Sequence, residues 1–177
     1  MLMKMNLLYQ RLQTDEPMKN WKVLFVKPRA EKKIAKYCKL YDIPCYLPLR
    51  ETKRVVQRRK VVFHLPVFPG YVFASFTDSQ RLSLLQTNLL VRILTPAQPR
   101  ALLRDIIMVR RALRANPALK QGPALNAGRM VRILSGPFMG VEGRVARLSG
   151  TVKVVLNIEM IGQSVSIVME RDQVEPL

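Results

Sequence analysis

The sequence is poor in the residues that build disulfide frameworks, metal sites and catalytic centres. It contains two cysteines, Cys38 and Cys45, and one histidine, His64. The cysteines are too few and wrongly spaced for a metal site or a disulfide framework, which fits a reducing cytoplasm. His64 has no serine, cysteine or acidic partner nearby in the sequence, so we predict a structural role for it. We therefore expect no enzymatic activity, no metal and no cofactor.

Long apolar runs are missing as well. No run approaches the ~20 residues that a membrane span needs. The start of the chain, Met1–Pro17, has only two basic residues and no cleavable apolar segment, so it lacks the pattern of a signal peptide. We predict a disordered leader over residues 1–17 and a cytoplasmic protein, with Met18 as an alternative native start.

Acidic residues are scarce, since 12 Asp and Glu stand against 30 Lys and Arg and leave a net charge of +18. The excess is uneven along the chain. Residues 19–65 carry +11, residues 66–124 carry +6 and residues 125–177 carry only +1. A first part with this charge is expected to bind a polyanion, and the nearly neutral second part a different partner. The chain is therefore predicted to contain two modules.

The first module is organised around the stretch Leu65–Phe76. Two prolines favour an extended lead-in, and Gly70 permits a bend just before the strand begins. From there the residues alternate, with Tyr71 and Phe73 on one face and Val72, Ala74 and Phe76 on the other. Because both faces are apolar, two interpretations stay open. The strand is buried on both faces, or one face packs on the chain's own helices while the other docks a partner.

Two basic features precede this strand. A helix opened by Pro28 has a predicted buried stripe at Ile34, Tyr37 or Cys38, and Tyr41. Its cationic side is made of Arg29, Lys32, Lys33, Lys36 and Lys39. Such a side is either a solvated face or a phosphate contact, and the lack of interleaved acids favours contact. Residues 50–65 then predict a β-hairpin whose basic tip is Gln57-Arg58-Arg59, although the turn lacks Asn-Gly.

The remaining elements complete an α+β module and a second, all-β module. A helix capped by Asp78, a strand at Val91–Leu94 and a helix from Pro99 predict an antiparallel sheet with helices on one face. Residues 116–124 have two prolines, one glycine and no periodicity, so they are predicted to be a linker. Beyond them, four short strands between glycine-bearing turns predict a small barrel.

Two groups of residues resemble the NusG family of transcription elongation and antitermination factors. The first resembles its N-terminal (NGN) domain and consists of Trp21-Lys-Val23, Glu31, Pro48 and Phe68-Pro-Gly-Tyr-Val-Phe73. The second resembles its KOW domain and consists of Gly128, Val131, Ile133, Gly136-Pro-Phe138, Gly140, Gly143 and Val145, with the closing Val174-Glu175. The resemblance covers residues 18–177 and implies an NGN-like domain over 18–115, a linker over 116–124 and a KOW domain over 125–177.

The resemblance implies a ferredoxin-like first domain that binds the RNA polymerase clamp helices, and a five-stranded KOW β-barrel that recruits further factors. The protein would be a monomer that suppresses pausing or termination without catalysis. The implied polymerase-binding residues are Phe25, Phe68, Pro69, Gly70, Tyr71 and Phe73. Upstream or non-template DNA would contact Arg29, Lys32, Lys33, Lys36, Arg58, Arg59 and Lys60. A small-subunit ribosomal protein or a termination factor would contact Gly136, Pro137, Phe138 and Met139.

Other features resemble the specialised RfaH and UpxY paralogues, namely the basic first helix, the basic hairpin and the Cys-Tyr-Leu-Pro stretch. Some RfaH-type paralogues hold the KOW segment as a helical hairpin. Here its glycines and its period-two strands instead predict a constitutive barrel on a flexible linker, with Tyr71 and Phe73 exposed. The alternative function is a ribosome-associated or RNA-binding KOW protein, which is expected to have a basic KOW domain.

Overall fold

The computed structural model describes residues 21–125, 128–147 and 151–177. The described residues form two compact units. The first takes its described residues from the ranges 21–47 and 68–103, and the second takes its described residues from 48–67 and from 104 onward. The predicted leader, residues 1–17, lies outside the described part of the chain.

Twelve strands and three α-helices occur within these ranges. The helices are α1 (Glu31–Leu40), α2 (Asp78–Gln86) and α3 (Pro99–Ala115). The strands are β1 (Trp21–Val26), β2 (Cys45–Tyr46), β3 (Leu49–Val56), β4 (Arg59–Pro66), β5 (Tyr71–Ser75), β6 (Leu90–Leu94), β7 (Lys120–Pro123), β8 (Met130–Ile133), β9 (Glu142–Arg147), β10 (Thr151–Ile158), β11 (Gln163–Glu170) and β12 (Val174–Pro176). None of the described helices is long and apolar enough to cross a membrane.

The first unit contains a four-stranded antiparallel sheet in the order β2-β5-β1-β6. This confirms the predicted antiparallel sheet with helices. One sheet face forms a core with α1 and α2, made of Leu24, Val26, Val72, Ala74 and Phe76 against Ile34, Cys38 and Leu84. The N-cap of α2 is Thr77, not Asp78 as predicted. The Thr77 hydroxyl accepts from the Gln80 N–H, and Gln80 Oε1 accepts from the Thr77 N–H, so the two residues form a capping box.

The bend before β5 is held by a buried carboxylate. Glu31, only 7% exposed in the first turn of α1, accepts a hydrogen bond from the Gly70 N–H at 2.8 Å. The carbonyl of Gly70 in turn accepts from the Val26 N–H at the end of β1, also at 2.8 Å. Gly70 has φ of +85°, and a Cβ there would lie 3.2 Å from the Phe25 ring. A glycine is therefore required at this position.

The hairpin predicted over residues 50–65 is confirmed. Strands β3 and β4 form a separate two-stranded antiparallel sheet in which all eight residues of each strand are paired. The turn residues Gln57 and Arg58 have φ of +47° and +63°. Positive φ at both central positions is the geometry of a type I′ turn, whose twist suits a hairpin. Non-glycine residues in this conformation cost about 1–2 kcal/mol each.

The C-terminal part of the second unit is an antiparallel sheet in the order β12-β8-β9-β10-β11-β7. The four predicted strands are confirmed as β8 to β11. The predicted five-stranded barrel is not found, because six strands take part and no pairing closes the sheet among the described residues. The described residues after Ala115 contain strands and short 3-10 turns, and no α-helix.

The stretch predicted as a linker, residues 116–124, contains strand β7. Its four residues pair with β11, from Gln163 to Ser166. Leu119, just before the strand, is buried. Lys-Gln-Gly-Pro has no apolar alternation, so β7 depends on the edge that β11 offers rather than on local sequence. The domain limits 18–115 and 125–177 stay predictions.

The Glu31–Gly70 hydrogen bond yields a stability prediction. We expect Glu31→Ala to lower the free energy of unfolding of the first unit by about 1–3 kcal/mol, because the Gly70 N–H loses its partner. Glu31→Gln keeps an acceptor oxygen and is expected to lose less. Trp21, the only tryptophan, is 3% exposed in the same unit, so its fluorescence during urea unfolding reports the loss. Equal losses in both variants would show that the acceptor is unimportant.

Candidate functional site

The polymerase-binding residues inferred from the sequence lie on or beside one face of the first sheet. Phe25 pairs with Tyr71 across β1 and β5, and Val23 pairs with Phe73. Phe25 and Tyr71 are half-buried, with ring centroids 5.2 Å apart. Pro69 is exposed and Gly70 is half-buried. The face assignment from period-two alternation is therefore confirmed.

The expectation that Phe73 is exposed is wrong. Phe68 and Phe73 are both 0% exposed. Their rings pack edge to face with centroids 6.3 Å apart, and the ring of Tyr46 stacks on that of Phe73 at 6.5 Å. Phe73 is therefore a core residue, and the surface offered to a partner reduces to the end of the sheet at Phe25 and Tyr71.

Sequence reasoning missed two residues beside this aromatic pair. Tyr46 of β2 pairs with Phe73 and is half-buried. Arg92 of β6 pairs with Phe25 and is exposed. The alternation of β6 was a usable signal for Arg92, whereas β2 has only two residues and carries no periodicity. The sheet thus presents an aromatic patch, made of Phe25, Tyr46 and Tyr71, with one arginine at its edge.

The cations predicted on the first helix are exposed. Arg29, just before α1, and Lys32, Lys33 and Lys36 on the helix all face solvent, whereas Ile34 and Cys38 are buried. The predicted burial of Tyr41 is wrong, because the helix ends at Leu40 and Tyr41 is 55% exposed. Among the described residues no acidic side chain forms an ion pair with these four cations. They constitute the α1 basic face, which is left fully charged toward solvent.

The hairpin carries the second group of predicted cations, Arg58, Arg59 and Lys60, and this group belongs to the second unit. All three are exposed, as are Lys53 and Arg54, which the site prediction omitted. No ion pair holds any of the five among the residues that the structure describes. The omitted pair was visible in the sequence as the basic neighbours of a valine run.

The four residues that the sequence predicts to bind a partner of the second module form one turn between β8 and β9. Gly136 begins a 3-10 turn with φ of +76°, and Pro137 is exposed beside it. Phe138 is half-buried, and Met139 is 67% exposed. The turn therefore presents a small apolar surface.

The cysteines and the histidine have ordinary structural surroundings. A side-chain hydrogen bond with Cys45, together with burial, raises the pKa of the Cys38 thiol, and the Cys45 thiol donates to the Ala35 carbonyl at 3.8 Å. His64 Nε2 lies 3.5 Å from the Glu51 carboxylate, an acidic partner that the cross-strand register supplies and the local sequence did not reveal. No group of three His, Cys, Asp or Glu suited to a metal occurs in the described ranges.

A cleft of about 290 Å³ lies between the middle of α3, at Arg104, Asp105 and Met108, and the second sheet, within the second unit. Asp105 lines it, and its Oδ2 accepts from the Glu159 N–H at 3.3 Å. Burial raises the pKa of Asp105 to about 6, and the neighbouring Glu159 carboxylate adds to that rise, against the lowering effect of the Glu159 N–H and of Arg104. Arg111 donates to the Gly140 carbonyl at 3.4 Å nearby.

Comparisons with known proteins give one family. A family model described as "Transcription termination factor nusG" matches residues 19–110, more than half of the 177 residues. A search of curated proteins finds no match. A solved structure described as "Domain interaction in Thermotoga maritima NusG" is 22% identical with a TM-score of 0.49, over 89% of this chain and 97% of that chain. A likeness this distant carries no argument about this chain.

The raised pKa of Asp105 yields a pH prediction. Burial favours the neutral carboxyl, so the contribution of Asp105 to folding stability is fully present below its unfolded pKa of 3.8. That contribution is lost as the pH rises through the folded pKa of about 6. Asp105→Asn keeps the acceptor for the Glu159 N–H and removes the charge. We expect it to raise the free energy of unfolding at pH 7 by about 1–2 kcal/mol, less than the full linkage because the carboxyl is partly solvated.

The measurement is urea unfolding of both proteins between pH 4 and 8, followed by far-ultraviolet circular dichroism. The difference is expected to be smallest at pH 4, the end of the range nearest the unfolded pKa of 3.8. Asp172→Asn is the control, because Asp172 is an exposed carboxyl of the same unit. A constant difference across the whole range would show that Asp105 does not titrate as described.

Proposed function

The chain belongs to the NusG family, and from this premise we propose that it is an elongation or antitermination factor acting at the RNA polymerase clamp. Members of this family are non-enzymatic transcription factors that bind RNA polymerase. In our proposal the first domain bridges the clamp across the DNA channel and suppresses pausing or termination. The observation that carries the proposal is the aromatic patch at one end of the first sheet.

The proposed mechanism is a shift of population. A factor that binds the closed clamp better than the open, paused state favours the closed state, and only by the difference between the two affinities. Phe25 and Tyr71 support such binding because their rings already contact and order each other. Burying their remaining exposed area against a partner therefore costs little side-chain entropy. Arg92, exposed beside Phe25, adds a cation at the rim of the patch.

We further propose that the α1 basic face and the hairpin cations contact upstream or non-template DNA. Exposed lysines and arginines without acidic partners retain their full attraction for phosphates. Contact of this kind is largely independent of sequence. It holds the DNA against the factor while the aromatic patch holds the polymerase.

For the second domain we propose the role of a KOW domain that recruits a further factor, such as a small-subunit ribosomal protein or a termination factor. Support comes from the apolar turn formed by Pro137, Phe138 and Met139. The charges of this domain support a protein partner over RNA, because Arg132 is paired with Glu142 and Glu175, and Arg144 with Glu159. The alternative of an RNA-binding KOW protein is disfavoured for the same reason.

The aromatic patch gives a binding prediction. We expect Tyr71→Ala and Phe25→Ala each to weaken binding to RNA polymerase by about 1–4 kcal/mol, the range for central aromatic anchors. Binding is measured by titrating labelled polymerase from the source cell. The control is Leu82→Ala on α2, which removes a side chain that is 61% exposed. If both aromatic variants keep native Trp21 fluorescence and bind like the control, the patch is misplaced.

The basic residues give a salt prediction. Replacing Lys32, Lys36 and Arg59 together by Gln is expected to weaken DNA binding and flatten its dependence on salt. Each lost phosphate contact removes about 0.7–0.9 from the slope of log affinity against log salt concentration. The control removes three exposed charges elsewhere, with Arg81→Gln, Arg114→Gln and Lys120→Gln. An equal slope in the two triple variants would show that Lys32, Lys36 and Arg59 make no more phosphate contacts than other exposed cations do.

A further inference from the structure

The outer half of the hairpin is exposed on both faces although half of its residues are apolar. Val55 is 69% exposed, and Val56, Val61, Val62 and Phe63 are exposed as well. The hairpin is a two-stranded sheet with no third strand on either edge among the described residues. An exposed apolar ribbon of this kind marks an interaction surface.

The four outermost cross-strand pairs (rungs) of the hairpin share one pattern. Each rung pairs a valine on one strand with a cation on the other: Lys53 with Val62, Arg54 with Val61, Lys60 with Val55, and Arg59 with Val56. Charged side chains, lysines especially, also prevent edge-to-edge aggregation of a free ribbon, but that role requires no arginine and excludes no acid. No acidic residue occurs from Thr52 to Thr77. The single sign of charge therefore indicates a polyanionic partner.

The register also sorts the cations by type. Residues directly opposite each other in an antiparallel pair point to the same face, and successive residues point to opposite faces. Arg54 and Arg59 therefore share one face with Val56 and Val61. Lys53 and Lys60 share the other face with Val55 and Val62. The hairpin thus has an arginine face and a lysine face.

We propose that the hairpin seats in the major groove of duplex DNA with its arginine face on the base edges. The major groove admits a two-stranded β-ribbon, and arginine reads guanine O6 and N7 with two parallel hydrogen bonds. The valines of this face suit the thymine methyl group. The lysines and Arg58 at the tip neutralise flanking phosphates, since lysine acts as a compact point charge. This inference depends on the proposed function only for the place where the hairpin encounters DNA.

The composition of the ribbon favours duplex DNA over other polyanions. Single-stranded nucleic acid is held by aromatic rings on which successive bases stack, and the exposed part of the ribbon has one aromatic residue, Phe63. The major groove of duplex RNA is too deep and narrow for side chains to read. An acidic protein surface gives no reason for the arginines and the lysines to occupy separate faces.

The test uses charge-preserving exchanges in the full chain, without polymerase. Duplexes bound by the wild type are selected from a random pool and sequenced. Fluorescence anisotropy then measures the affinity of the protein for the selected duplex. It is compared with the affinity for the matching single strand and for duplex RNA. We expect the wild type to enrich guanine-containing sites and to prefer the DNA duplex. Methylation of guanine N7 in the selected site is expected to block binding, because N7 lies in the major groove.

Arg54→Lys with Arg59→Lys keeps the charge and removes the guanidinium forks. We expect this variant to show a weaker sequence preference and to bind the selected site about tenfold more weakly, with an unchanged salt slope, because lysine reaches guanine O6 and N7 without the planar fork. The reciprocal control, Lys53→Arg with Lys60→Arg, is expected to keep the preference. Lys53→Gln with Lys60→Gln is expected to keep the preference while lowering the salt slope by about 1.8.

Three outcomes would overturn the proposal. They are selection of no sequence by the wild type, tighter binding to single-stranded DNA or to duplex RNA, and equal behaviour of the two charge-preserving exchanges. A hairpin that contacts an acidic protein instead is revealed if these exchanges weaken polymerase binding and leave duplex binding unchanged. Failure of the proposed function is distinguishable, because it appears only in the polymerase titration.

Discussion

One buried carboxylate determines how the first unit presents its aromatic surface. Glu31 begins α1, where the positive end of the helix dipole favours an anion, and it accepts from the Gly70 N–H at 2.8 Å. Gly70 is also joined to Val26 through its carbonyl. The end of β1, the start of α1 and the entry to β5 therefore meet at one residue that must be glycine. The Phe25–Tyr71 ring pair is built on the two strands that this contact aligns.

The same helix links the core to the charged surface. Ile34 and Cys38 of α1 are fully buried against the sheet, while Lys32, Lys33 and Lys36 face solvent. Because side chains three and four residues apart share a helix face, packing of the buried stripe orients the lysines as a set. The hydrogen bond of Glu31 fixes where this helix begins along its axis. The positions of the aromatic patch and of the α1 basic face thus depend on one local geometry.

Period-two alternation predicted which residues share a sheet face, and the register of β1 with β5 agrees with it. Alternation does not show what covers a face, so the burial of Phe68 and Phe73 was not predictable. The hairpin was predictable from two valine-rich runs around a basic tip. Its register was not, and neither was the sorting of arginines and lysines. Strand β7 was missed because tertiary pairing, rather than composition, makes it a strand.

The placement of paired and unpaired charges separates the two kinds of contact that the proposed function needs. Arg132 and Arg144 of the second sheet are engaged by acids of the same sheet and of the turn after β10, while Met139 in the turn between β8 and β9 is exposed. The cations of α1 and the hairpin have no acidic partner among the described residues, so their charge is not neutralised locally. At physiological salt their field extends about 8 Å into the solvent. Aromatic contacts act only at van der Waals distance and are indifferent to salt. The cations are therefore suited to steering association with DNA, and the aromatic patch to setting how long the polymerase stays bound.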